Sequence, residues 1–86
     1  MACASNLEPL TLEQAIGQVL RGLRKNKGLK QIEVAVATNF AVTTLRKMEG
    51  GKQSMTIRSL DALAMFYSLP IEDLIIRAKK LRGTSP

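Results

Sequence analysis

The side chains in this chain that could do chemistry are cations and small polar groups, and they are clustered. Residues 42–47 read Val-Thr-Thr-Leu-Arg-Lys. Val42, Thr43, Arg46 and Lys47 recur at i, i+1, i+4 and i+5, which puts them on one side of a helix. A threonine hydroxyl donates and accepts, arginine and lysine donate, and valine offers methyl groups; these complement the edges of base pairs in a major groove. They do not make a proton-transfer site. The chain has no histidine, no Cys/His set with metal-ligand spacing, and no phosphate loop, because Gly50-Gly51-Lys52 lacks the required glycine spacing. An enzyme is therefore the least supported class. No cofactor, metal or small-molecule ligand is expected.

Charge narrows the partner. Lys and Arg number 13 against 7 Asp and Glu, a net charge of +6. Arg21, Arg24, Lys25, Lys27 and Lys30 fall within positions 21–30, which contain no acid; Arg46, Lys47, Lys52 and Arg58 follow, then Arg77, Lys79, Lys80 and Arg82. Such a field attracts polyanions, the alternative being a merely solvated basic surface. The aromatic residues are Phe40, Phe66 and Tyr67, too few for stacking-based single-strand binding. No apolar run reaches the ~18 residues of a membrane span, so no membrane partner is expected. The start, MACASNLEPLTLE, lacks the basic and apolar regions of a signal peptide. The lone cysteine, Cys3, sits in the expected arm and fits a reducing cytoplasm.

Those side chains need a scaffold, and periodicity supplies one. The length of 86 residues suggests one domain that buries only roughly 60–65% of its unfolded surface and so gains from a partner subunit. Residues 1–10 form an expected flexible arm, 11–82 the domain and 83–86 a tail. Thr11 and Gln14 make a capping-box pattern for a helix over 12–26, with Ile16, Val19, Leu20 and Leu23 on its apolar face. Asn26-Lys27-Gly28 ends it. A short helix over 31–38 follows, and Asn39 can take the left-handed conformation that stops it. A third helix opens at Ala41 and runs to Glu49, with Leu45 and Met48 inward, before Gly50-Gly51. Thr56 caps a fourth, with Ile57, Leu60, Leu63, Ala64 and Tyr67 as its apolar face. Pro70, Glu72 and Asp73 start a fifth. Nothing reads as a strand, so the fold class is all-α with five helices.

The link Asn39-Phe40-Ala41 is so short that helix 3 must cross helix 2 steeply, which is helix-turn-helix geometry. Ala35 lies at that crossing, where a bulky side chain would part the helices. The segment from Gly28 to Leu74 resembles the phage Cro/repressor-type helix-turn-helix family, the xenobiotic-response-element (XRE) class of regulators. The resemblance rests on Gly28-Leu29-Lys30-Gln31, Val34-Ala35, Leu45, Met48-Glu49, Gly51-Lys52, Thr56, Leu60, Leu63-Ala64, Leu69 and Leu74, in family order. It implies a lambda-repressor-like DNA-binding domain whose partner is double-stranded DNA. It implies base edges for Val42, Thr43 and Lys47; Arg46, on the same face, is counted with them as base-contacting, with phosphates as the alternative for both Arg46 and Lys47. It implies phosphate contacts for Gln31 and the loop around Lys52, to which Lys30, Thr44, Gln53 and Ser54 are added as neighbours. Arg24 and Glu49 match an Arg–Glu pair tying helix 1 to helix 3. Lys30 departs from the usual Ser or Thr, Asn39 from the usual Gly, and Met55 from a common Pro.

Helix 5 carries Ile71, Leu74, Ile75, Ile76 and Leu81, more apolar surface than so small a monomer should expose. They are expected to form a homodimer interface, with part of them covering helices 1 and 4. The expectation is thus a cytoplasmic homodimeric repressor on an inverted repeat. Its rivals are an antitoxin or a restriction-modification controller of the same fold, and a protein-interaction module that does not bind DNA. The basic pair Arg46-Lys47 argues against the last.

Overall fold

The computed structural model describes residues 10–82. They form five helices: α1 (Leu12–Asn26), α2 (Gln31–Thr38), α3 (Val42–Glu49), α4 (Ile57–Phe66) and α5 (Ile71–Leu81). No strand occurs among the described residues.

Local chemistry sets the starts of these helices. The Thr11 hydroxyl accepts from the Gln14 N–H at 3.1 Å while Gln14 Oε1 accepts from the Thr11 N–H at 3.0 Å, a complete capping box. Thr56 caps α4 through the Ser59 N–H. At α2, Glu33 reaches back to the Lys30 N–H at 2.7 Å. That is half a capping box, since an ammonium at Lys30 cannot accept the returning bond.

The ends of α1 to α4 share one device. Gly28, Asn39, Gly51 and Ser68 all have φ between 59° and 70°. The next residue then donates its N–H five residues back: Leu29 to Arg24, Phe40 to Ala35, Lys52 to Lys47 and Leu69 to Ala64. This left-handed stop satisfies carbonyls that a helix end would otherwise strand. Leu29, Phe40 and Leu69 then turn onto the core. Lys52 occupies the same place after α3 and stays exposed, which leaves a cation at the mouth of the site described below.

The core joins Ala15, Ile16 and Leu20 of α1, Val34 and Ala35 of α2, Leu45 and Met48 of α3, Leu60, Leu63, Ala64 and Tyr67 around α4, and Leu74 and Ala78 of α5. Phe66 and Tyr67 meet edge to face at 4.9 Å. Burial of these side chains in small helices is what holds the helices at all, because eight-residue helices are not stable alone.

Four expectations are corrected here. Leu74 is fully buried in the chain's own core and offers no surface to a partner; Ile71 and Ile75 are half-buried, and Ile76 and Leu81 remain exposed. Ile57 is 73% exposed: it opens α4 ahead of that helix's first buried residue, Leu60. Leu10, assigned to the loose arm, packs against the core, and its carbonyl accepts from Arg82 Nε at 3.0 Å. Val42 is only half-exposed and packs against the core, since it opens α3 next to the turn. The rest of the expected arm and the tail, with Cys3, lie outside the described residues.

Candidate nucleic-acid interface

Two surfaces of α3 have to be built, one that fixes it and one that it presents. The fixing surface meets α1 at Gly17. A Cβ on Gly17 would lie 2.5 Å from the carbonyl oxygens of both Met48 and Glu49. Only glycine allows the last turn of α3 to come so close to α1. Helix periodicity marks Ile16 and Leu20 and passes over Gly17. A glycine inside an otherwise good helix was the available signal.

Close to that contact lies a buried ion pair. Arg24 Nε donates to Glu49 Oε2 at 2.9 Å and its Nη2 to Oε1 at 3.1 Å, a two-point pairing. The remaining arm of the guanidinium, Nη1, donates to the Leu29 carbonyl at 2.9 Å. One side chain thereby ties α1, the turn before α2 and the end of α3. Arg24 and Glu49 are 8% and 5% exposed, so neither charge could be left alone without a large desolvation cost. Tyr67 is buried beside them. Its hydroxyl is pushed up to about 12, first by burial and then by the Glu49 charge, with Arg24 opposing.

Glu49 has one more partner. Gln31 Nε2 donates to Glu49 Oε1 at 3.1 Å, and Gln31 Oε1 accepts from Arg46 Nε at 3.5 Å. Gln31, expected as a phosphate contact, is thus held within the protein's own network.

The presented surface is a concave cleft of about 740 Å³. Arg21 and Arg24 of α1, Lys30 and Gln31 at the start of α2, Arg46, Lys47 and Glu49 of α3, and Lys52 beyond it line this cleft. Every charged lining residue except Glu49 is a cation, and Arg24 already neutralises Glu49. The other cations therefore set the field in the cleft, which favours an anion. Lys30, Arg46, Lys47 and Lys52 are exposed and share this cleft. Thr43, Gln53 and Ser54 are exposed but do not line it, and Thr44 is half-buried. Arg21, in sequence only one cation of the basic run, is brought to the cleft by the fold.

No group of three His, Cys, Asp or Glu side chains suited to a metal occurs among the described residues. No helix there is long and apolar enough to cross a membrane.

Known proteins resemble this chain in sequence and fold. Residues 15–75 match the family described as a helix-turn-helix domain. The HTH-type transcriptional regulator DdrOP3 of Deinococcus deserti is 32% identical over 56 residues, covering 65% of this chain and 43% of that protein. The match thus spans less than half the length of that relative. Two crystal structures of the clp gene regulator ClgR from Corynebacterium glutamicum superpose well. One has a TM-score of 0.80 at 24% identity, covering 86% of this chain and 95% of that one. The other has a TM-score of 0.81 at 28% identity, covering 88% and 80%.

Proposed function

The chain belongs to the helix-turn-helix domain family, and on that premise we propose that it is a sequence-specific, XRE-like regulator of transcription that binds double-stranded DNA as a homodimer. The observation that carries this reading is the juxtaposition of α3's exposed face with the basic cleft at its side. A duplex needs both: cations along a phosphate strand for affinity, and donors in the major groove for sequence.

In this reading α3 enters the major groove with its N-terminal turn leading. Thr43 and Lys47 are exposed and reach base edges, Lys47 as a donor to guanine and Thr43 to either pair. The half-exposed Val42 offers its free methyl to a thymine. Lys30, Lys52 and the N–H groups at the start of α2 meet phosphates, where the positive end of the helix dipole adds to the charge. Gln53, Ser54 and Thr44 flank the same strand.

Pairing of two copies rests on α5. Glu72, Ile76 and Lys80 lie at i, i+4 and i+8 and are all exposed. An antiparallel crossing centred on Ile76 sets Glu72 of each copy opposite Lys80 of the other, and Leu81 extends the apolar part. Two copies so related read half-sites about 34–36 Å apart on an inverted repeat. Occupying a promoter then excludes polymerase, which makes the protein a repressor in a cytoplasmic setting.

The test is selection from a random double-stranded DNA library, with binding repeated at two salt concentrations. The expected result is an enriched inverted repeat whose affinity falls steeply with salt. No enriched motif at low salt would overturn the reading.

A further inference from the structure

Arg46 is the charged residue on the outer side of α3 whose guanidinium is hydrogen-bonded to another helix. We propose that Gln31 is a positioning residue that holds Arg46 over the basic cleft, where it clamps a DNA phosphate rather than reading a base. The proposal rests on the DNA-binding reading above.

The chemistry of the network has a fixed polarity. Arg24 only donates, and the ionised Glu49 only accepts. Glu49 therefore takes the NH₂ end of the Gln31 amide, at 3.1 Å. That leaves the carbonyl end facing the opposite way. An acceptor there suits only a donor, and Arg46 Nε lies 3.5 Å from it. The orientation thus passes from a buried ion pair, through one amide, to an exposed guanidinium. No other side chain of this length has one donor end and one acceptor end. Glutamate would set a second carboxylate against Glu49, and methionine would break both contacts.

Position supports the same assignment. Held at the start of α2, Arg46 lines the cleft with Arg21, Lys30, Lys47 and Lys52. Its Nη groups remain to donate in pairs to a phosphate, the geometry for which a guanidinium is suited. Its neighbour Lys47 is exposed on α3 and lines the same cleft.

The test uses the full chain, its R46M, Q31M and double variants, a selected duplex and a random duplex of equal length. Affinity is measured over a series of salt concentrations, and thermal melting checks that each variant is folded. R46M is expected to lose roughly tenfold on both duplexes, the size of one charge-assisted hydrogen bond. Its log–log salt slope should fall by about 0.9, one phosphate's worth. Q31M is expected to weaken binding in the wild-type background and to cost much less when Met already replaces Arg46. Loss on the selected duplex alone, with an unchanged slope, would make Arg46 a base reader and overturn the clamp. Additive losses in the double variant would overturn the positioning role of Gln31. Failure of the wild-type chain to bind either duplex would instead remove the DNA-binding reading itself.

Discussion

The inner and outer faces of α3 differ in kind although they belong to one eight-residue helix. The inner face is over-determined. Leu45 and Met48 are 1% exposed, the last turn touches α1 where no Cβ fits, and Glu49 is bound from two sides. The outer face carries Thr43, Arg46 and Lys47 in solvent. A reading surface needs side chains free to meet a ligand on a backbone that does not move. The helix divides those demands between its faces: rigidity comes from one, and function is proposed for the other.

Breaking the inner face should therefore cost folding, and breaking the outer face should cost only binding. The largest effect is expected for Arg24→Ala, which strands the Glu49 carboxylate in the interior. A loss of roughly 3–5 kcal/mol of stability should follow, measured by urea unfolding; an unchanged midpoint would show the pair to be dispensable. Gly17→Ala comes next. The new methyl meets backbone carbonyls that cannot rotate away, so about 3 kcal/mol should be lost. For a domain of this size that lowers the melting temperature by more than about 10 °C. An equal or raised melting temperature would mean that α1 and α3 can separate freely.

The Tyr67 hydroxyl gives a pH test of the same interior. Its folded value, about 12, lies above its ordinary 10.0. The folded state thus holds the proton more tightly than the unfolded state. The contribution is complete below about pH 10 and disappears as pH rises toward 12, by at most about 3 kcal/mol. Stability of the wild type should fall across that window more than that of Tyr67→Phe, which controls for lysine deprotonation. Parallel curves would exclude burial of the phenol as the cause.

The smallest effect on folding is expected on the outer face. Lys47→Ala should leave the stability within about 0.5 kcal/mol of the wild type. It should weaken binding to the selected duplex by roughly 1–3 kcal/mol and relax preference at one base position. A large drop in melting temperature would erase the distinction between the two faces. Equal losses on selected and random DNA would move Lys47 from bases to phosphates.

Much of the fold was written in local pattern. The i, i+3, i+4, i+7 spacing of Ile16, Val19, Leu20 and Leu23 marks α1, and Thr11 with Gln14 marks its start. Asn39 stops α2, and the short link to Ala41 dictates the crossing with α3. These signals work because helix periodicity, capping and left-handed stops are satisfied within a few residues. Arg24 with Glu49, 25 positions apart, was suggested by resemblance rather than by any local rule.

What tertiary structure alone decided is which surfaces meet. It put Leu74 inside rather than on a partner face, and it brought Arg21 to the cleft. It made Gly17 the point where two backbones touch, and it joined Gln31 to Glu49 and Arg46. Local pattern does not settle these, because each depends on the angle and depth at which α1, α2, α3 and α5 pack. The sequence by itself determined that five helices would form and that a basic outer face would exist. Their close packing decided how that face is held.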